Sequence, residues 1–88
     1  MSVKILCFHQ DGCPGCAEQK EINLKIQEKL GVTITDIDAI KTEGVIQKYT
    51  LKVTPTILIL VHDTEKERME GITPSSILEE KIRKYVWL

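Results

Sequence analysis

Cys13 and Cys16 stand three positions apart in "HQDGCPGCAEQ", residues 9–19, with a proline and a glycine between them and a helix-like sequence behind them. A thiol–disulfide exchanger needs one thiolate that attacks and a second thiol close enough to resolve the mixed disulfide. A C-x-x-C at a helix start supplies both. On that reading Cys13 sits at the cap, where the free N–H groups of Gly15 and Cys16 and the positive end of the helix stabilise its thiolate, while Cys16, one turn inside, is partly shielded. Pro14 loses nothing at the first helical position, and Gly15 lets backbone or a substrate approach closely. The same stretch also suits a metal. Cys7, His9, Cys13 and Cys16 are four soft ligands within ten residues, and zinc takes such sets at roughly 2.0–2.3 Å. A straight strand, however, splays Cys7 about 6–7 Å from His9. Spacing alone leaves redox and metal chemistry both open.

The chain that must position these residues has 88 of them, 42% hydrophobic, with a formal net charge of −1. That is room for one core, so a single domain over 1–88 is expected, burying a little over ~60% of its extended surface. No apolar run approaches the roughly 20 residues of a membrane span, and "MSVKILCF" has neither a charged leader region nor a cleavage site. An intracellular, cytoplasmic protein is the expectation. Lys and Arg interspersed with Asp and Glu give no reason to expect nucleic acid or an anionic membrane as partner. Three cysteines cannot make a fully paired disulfide framework, and in a cytosolic protein a C-x-x-C pair is more often catalytic or metal-binding than a staple.

"VKILCFH" (3–9) is an apolar run of strand formers that feeds directly into the cysteine pair. From Pro14 to Leu30 the pattern turns helical, with Ile22, Ile26 and Leu30 on one stripe and Gly31 as the stop. Ala17 and Leu24 fall on nearly the opposite side, as scattered exposed apolar residues. "VTITDID" (32–38) reads as a second strand, so a parallel, right-handed crossover is expected. A short helix is expected around Glu43–Tyr49. "TPTILILV" (54–61) is a continuous apolar strand opening at a proline. "HDTEK" turns the chain, "ERMEG" returns as a short charged edge strand, and a last helix follows. For that helix Thr73 is the expected cap and Pro74 the first helical residue, with Ile77, Leu78, Ile82 and Val86 as its apolar stripe. The fold class is α/β, a four-stranded mixed sheet flanked by helices in the order β-α-β-α-β-β-α.

The strand, then "GCPGC", then a helix, followed about forty residues later by "KYTLKVTPTILIL" and a glycine before a final helix, resembles the thioredoxin family. The resemblance spans nearly the whole chain, without the extra strand and helix with which full-length thioredoxins begin. Tyr49, Pro55, Thr56 and Ile57–Val61 match the family's tyrosine, cis-proline, threonine and apolar strand. "DID" (36–38) looks like the family's second-strand ending, and Gly71 like its glycine before the last helix.

What the resemblance implies is a thioredoxin-like fold and a protein-disulfide reductase and electron carrier that cycles Cys13 and Cys16 between dithiol and disulfide. Cys13 would be the attacking nucleophile and Cys16 the resolving thiol, with Pro14 and Gly15 beside them. Pro55 would be cis, setting the Thr54 backbone against the sulfurs to pair with an extended substrate segment. No bound cofactor is implied. The implied partners are disulfide-containing proteins and a thioredoxin-reductase-type electron donor, with the protein acting as a monomer. Gly12 before Cys13 and the order Pro-Gly between the cysteines depart from the usual W-C-G-P-C. Proline directly after the first cysteine is glutaredoxin-like, so a glutathione-dependent oxidoreductase is the alternative, although "VTPT" and "EGITPSS" do not match the glutaredoxin glutathione-binding motifs. A zinc module on Cys7, His9, Cys13 and Cys16 is a more distant one. The six-residue spacing back from Cys13 lands on Cys7, where thioredoxins usually carry a buried aspartate, and Ile34 stands where a lysine accompanies it. Cys7 is read as a small core hydrophobe and His9 as a strand-end histidine near the thiols. His62 belongs at the far end of its strand, Asp36 and Asp38 are strand-end carboxylates, and Trp87 is a terminal packing residue.

Overall fold

The structure, a computed structural model, describes residues 2–86; Trp87 lies outside the described residues. Seven elements follow one another: β1 (Val3–His9), α1 (Pro14–Leu30), β2 (Ile34–Asp38), α2 (Val45–Tyr49), β3 (Thr56–Val61), β4 (Thr64–Glu70) and α3 (Ser75–Arg83). The sheet runs β2-β1-β3-β4. β1 and β2 are parallel, with Cys7 opposite Asp36, and β3 runs antiparallel to both β1 and β4, with Cys7 opposite Ile57 on its other side.

The strands in the middle of the sheet are apolar on both faces because both faces are covered. On one, Ile5, Cys7, Ile57 and Ile59 pack with Ile26 and Leu30 of α1 and Leu78 and Ile82 of α3. On the other, Leu6, Phe8, Leu58 and Leu60 gather beneath Ala39, Val45, Tyr49 and Leu51. The Phe8 and Tyr49 rings lie 5.2 Å apart, centroid to centroid. Helix α1 ends where glycine permits it: Gly31 takes φ 67° and its N–H donates to the Gln27 carbonyl at 2.9 Å, a left-handed C-terminal cap. The Gln27 side chain then accepts from the Ile34 N–H at 2.7 Å, fastening α1 to the start of β2.

Three expectations are corrected. The strand after the hairpin begins at Thr64, because the turn is only His62 and Asp63, at φ 51° and 64°. Two left-handed residues match the twist of the flanking strands, so "TEK" is strand rather than turn. A register shift between Ile59 and Leu60 leaves Lys66 as the extra residue of a bulge. At the last helix, Thr73 is not the cap. Its N–H donates to Gln19 Oε1 at 2.7 Å and its carbonyl accepts from Gln19 Nε2 at 3.2 Å, while Pro74, at ψ 153°, is still extended. With the Thr73 carbonyl taken by Gln19, the first intrahelical bond runs from the Leu78 N–H to the Pro74 carbonyl at 3.0 Å, so the helix starts one position later than expected. Within it, Leu78 and Ile82 are the buried face and Ile77 is 46% exposed, since it lies about 100° around the helix from Leu78.

Gln19 is fully buried, and its amide also donates to Asn23 Oδ1 at 3.0 Å. It is the polar tie between α1 and the segment that leads from β4 into α3. Replacing Gln19 by leucine leaves the Thr73 N–H and carbonyl buried without partners, so we expect a loss of about 2–4 kcal/mol. Urea denaturation measures it. A loss no larger than that of Glu18→Ala, an exposed neighbour on the same helix, would overturn this account.

Candidate functional site

β1 delivers the backbone to its end at His9, Gly12 turns it at φ 72°, and Cys13 enters helix α1 as its N-cap with extended backbone. Cys13 and Cys16 are joined as a disulfide, their Cα atoms 5.2 Å apart. The Cys16 N–H points at Cys13 Sγ, 3.1 Å away, so the sulfur occupies the acceptor position that a serine or aspartate oxygen usually fills at a helix start. The Cys13 carbonyl accepts from the N–H groups of Cys16 and Ala17 at 3.1 and 3.3 Å. Cys13 is half-buried, and Cys16 is 8% exposed.

Across from the pair lies the loop before β3. The Thr54–Pro55 peptide is cis. The Thr54 carbonyl oxygen stands 3.6 Å from Cys13 Sγ and its hydroxyl 3.5 Å from the same sulfur. Gln10 Nε2 donates to Thr54 Oγ1 at 3.0 Å. Pro55 is buried, and its carbonyl accepts from the Gly71 N–H at 2.8 Å. A Cβ on Gly15 would meet Pro55 Cδ and Ile72 Cγ1, each at 3.3 Å, so glycine lets the first turn of α1 close on this loop. Pro14 is exposed beside them. Cys13, Cys16, Gly15, Thr54 and Pro55 therefore form one constellation. His62 is exposed in the hairpin turn at the other end of β3. Asp38 Oδ1 accepts from the N–H groups of Ile40 and Lys41, both at 2.9 Å, which holds its carboxyl below the usual range, mainly through the Lys41 N–H.

A cleft of about 310 Å³ opens beside the disulfide, lined among others by Cys7, His9, Cys16, Lys20 and Asp36. His9 Nε2 lies 3.6 Å from Asp36 Oδ2. Among the described residues no group of three or more His, Cys, Asp and Glu side chains could hold a metal ion, so the four-ligand reading of Cys7, His9, Cys13 and Cys16 has no geometry behind it. Gln10, Gln19 and Asn23 escaped the sequence reading. Gln10 meets a residue 44 positions away and Gln19 one 54 positions away, and no local spacing rule marks either.

Cys7 is the free thiol, 3% exposed. Burial pushes it up from an ordinary 9.0 to about 11; a side-chain hydrogen bond from Asn23 opposes this, and the Asp36 charge adds to it. A thiol whose pKa is raised by folding stabilises the native state fully below pH 9.0 and loses that contribution as pH rises to about 11. We therefore expect Cys7 to resist iodoacetamide in the folded protein and to react on unfolding. Stability should fall through that alkaline window in the parent protein and fall less in Cys7→Ala. That substitution should itself cost about 1–2 kcal/mol at neutral pH from the truncated core contact. Parallel alkaline curves for the two proteins would show that Cys7 is not the titrating group.

Against proteins of known structure, the fold recurs. The chain superposes on thioredoxin-2, a component of the malaria parasite protein secretion machinery, with a TM-score of 0.88, 28% identity, and coverage of 96% of this chain and 84% of that one. A second malarial protein matches at a TM-score of 0.86 and 27% identity over 99% of this chain and all of that one. Thioredoxin NaTrxh from Nicotiana alata gives 0.85 and 26% identity over 94% and 72%. No protein-family model matches the sequence. With a four-stranded mixed sheet in thioredoxin order and a Cys13–Cys16 disulfide at the head of its first long helix, the chain has the thioredoxin fold, is similar to these thioredoxins, and is a thiol–disulfide oxidoreductase of the C-x-x-C type.

Proposed function

We propose that the protein, acting as one domain over residues 1–88, is a protein-disulfide reductase and electron carrier of the cytoplasm. One observation carries this reading: the first cysteine of the pair is a helix cap with the Cys16 N–H 3.1 Å from its sulfur, while the second is 8% exposed. Reduced Cys13 is the nucleophile, its thiolate stabilised by that N–H and by the positive end of α1. It attacks one sulfur of a substrate disulfide, forming a Cys13–substrate disulfide and releasing the other substrate sulfur as a thiolate that takes up a proton. Cys16, the resolving thiol, then loses its proton and attacks Cys13 Sγ. The second substrate sulfur leaves, two electrons have passed to the substrate, and the Cys13–Cys16 disulfide remains.

Pro14, Gly15, Thr54 and Pro55 form the substrate-binding edge around that exchange. The Thr54 carbonyl is available to an N–H of an extended substrate segment, and the close fit of Gly15 to Pro55 keeps the acceptor beside the sulfur. The partners are proteins containing disulfides, and a flavin-dependent reductase of the thioredoxin-reductase type returns two electrons. The protein needs no bound cofactor and works as a monomer. No described helix is long and apolar enough to cross a membrane.

Two tests follow from these roles. After reduction, iodoacetamide at neutral pH should label Cys13 before Cys16, read by peptide mapping, and Cys16→Ser should accumulate mixed disulfides with substrates. Preferential labelling of Cys16 would reverse the assignment. In an insulin-reduction assay, dithiothreitol and a thioredoxin reductase should each sustain turnover and glutathione should not, because a bound glutathione needs partners for two carboxylates and an ammonium. Efficient glutathione-coupled reduction of a small mixed disulfide would move the protein to the glutaredoxin class.

A further inference from the structure

Two atoms of Thr54 face Cys13 Sγ, and they act on a thiolate in opposite senses. The carbonyl oxygen, 3.6 Å away, presents a negative dipole end and disfavours the anion. The hydroxyl oxygen, 3.5 Å away, can donate a proton to sulfur and favours it. Which effect governs depends on where the hydroxyl proton points, since a threonine hydroxyl has one proton and can also accept. Gln10 bears on that choice. Its Nε2 donates to Thr54 Oγ1 at 3.0 Å, filling an acceptor position of the hydroxyl and leaving the proton for the sulfur.

We propose that Gln10 and the Thr54 hydroxyl form a relay that donates a hydrogen bond to the Cys13 thiolate, making Thr54 a catalytic residue through its side chain and Gln10 a positioning residue. This rests on Cys13 being the nucleophile and adds a third stabilising contact to the Cys16 N–H and the end of α1. The geometry suits it. Gln10 lies just past the end of β1 and three residues before Cys13, and Thr54 lies just before β3, so the relay spans the same strand ends that bring sulfur and loop together. Hydrogen bonds to charged groups are stronger than neutral ones, so the hydroxyl contributes more to the reduced, ionised state than to the disulfide. The Thr54 carbonyl is meanwhile left free for a substrate N–H. One residue thus serves the nucleophile with its side chain and the substrate with its backbone.

The test measures the rate at which iodoacetamide alkylates Cys13 in the reduced protein, as a function of pH, alongside the ultraviolet absorbance of the thiolate. Neither readout requires turnover. Thr54→Val keeps the shape and removes the hydroxyl, and should slow alkylation at neutral pH by about threefold, since the lost thiolate fraction is partly offset by the greater nucleophilicity of a less stabilised thiolate, with thiolate absorbance developing at higher pH. Thr54→Ser should restore most of the rate. Gln10→Leu should slow alkylation by a smaller factor, because the hydroxyl then divides its proton between sulfur and other acceptors. If instead the Gln10 amide faced Thr54 with its oxygen, it would draw the hydroxyl proton away from sulfur, and Gln10→Leu would speed alkylation. That result, or a Thr54→Val protein that alkylates at the parent rate, overturns the relay. Thermal unfolding of each variant separates lost packing from lost donation. Should the parent protein fail to reduce insulin while Thr54→Val still slows alkylation, the reductase reading falls and the relay stands.

Discussion

The N–H of Cys16 is 3.1 Å from Cys13 Sγ, and through that contact the end of a helix and the reactive sulfur become one object. A helix leaves its first N–H groups without internal partners. Here one of those orphans is directed at the atom that must carry negative charge, so local satisfaction of the backbone and activation of the nucleophile are the same event. The contact is useful only if α1 keeps its place. Its apolar stripe at Ile26 and Leu30 packs on the sheet, Gln27 binds the first residue of β2, and Gln19 is held by Thr73 near the far end of the sequence. Gly15 then lets the first turn close against Pro55 and Ile72.

That arrangement divides the molecule by stability as well as by position. The middle strands are buried on both faces, while the site is assembled from the loops at one end of the sheet: residues 10–12, 51–55 and 71–74. Those loops are short and cross-tied, with Gly71 bonded to Pro55, Thr73 to Gln19 and Gln10 to Thr54. A site on loops is mobile unless its backbone is satisfied elsewhere. Here each loop finds its partner in another loop or in α1, and this gives the exchange geometry a fixed frame.

Much of this was legible in the sequence because it is written locally. The apolar runs 3–9 and 54–61 read as buried strands, the stripe from Ile22 to Leu30 ending at Gly31 as a helix with a glycine stop, and the two cysteines at its head marked the site, although their spacing left redox and metal chemistry both open until the motif around Pro55 was read with them. What stayed hidden depends on partners distant in the sequence. Gln19 looked like an ordinary polar helix residue, and only folding brings Thr73 to it. Thr73 looked like a cap because caps are read from the next few residues, yet its backbone was already committed to Gln19. The two-residue turn at His62 and Asp63 carries no glycine, so its left-handed backbone had no compositional mark. Ile77 satisfied the helical period but sits on the flank of a helix that buries a narrow face.

Cys7 adds a consequence for what happens after the fold is lost. In the native state its thiol is sealed by burial, 3% exposed, six residues before Cys13. Unfolding the oxidised protein removes that seal, and a free thiol then lies close in sequence to a labile S–S bond. Exchange can re-pair Cys7 with Cys13 or with Cys16, and either product carries a bridge other than the native Cys13–Cys16 one. Each re-paired molecule keeps one free thiol and regains the native pairing only when that thiol reverses the exchange. Oxidised protein heated through its transition should therefore refold incompletely, and the apparent melting temperature should shift with scan rate. Reduced protein, with no disulfide to shuffle, has a reversible route back. The core cysteine thus links the redox state of the pair to whether unfolding can be undone.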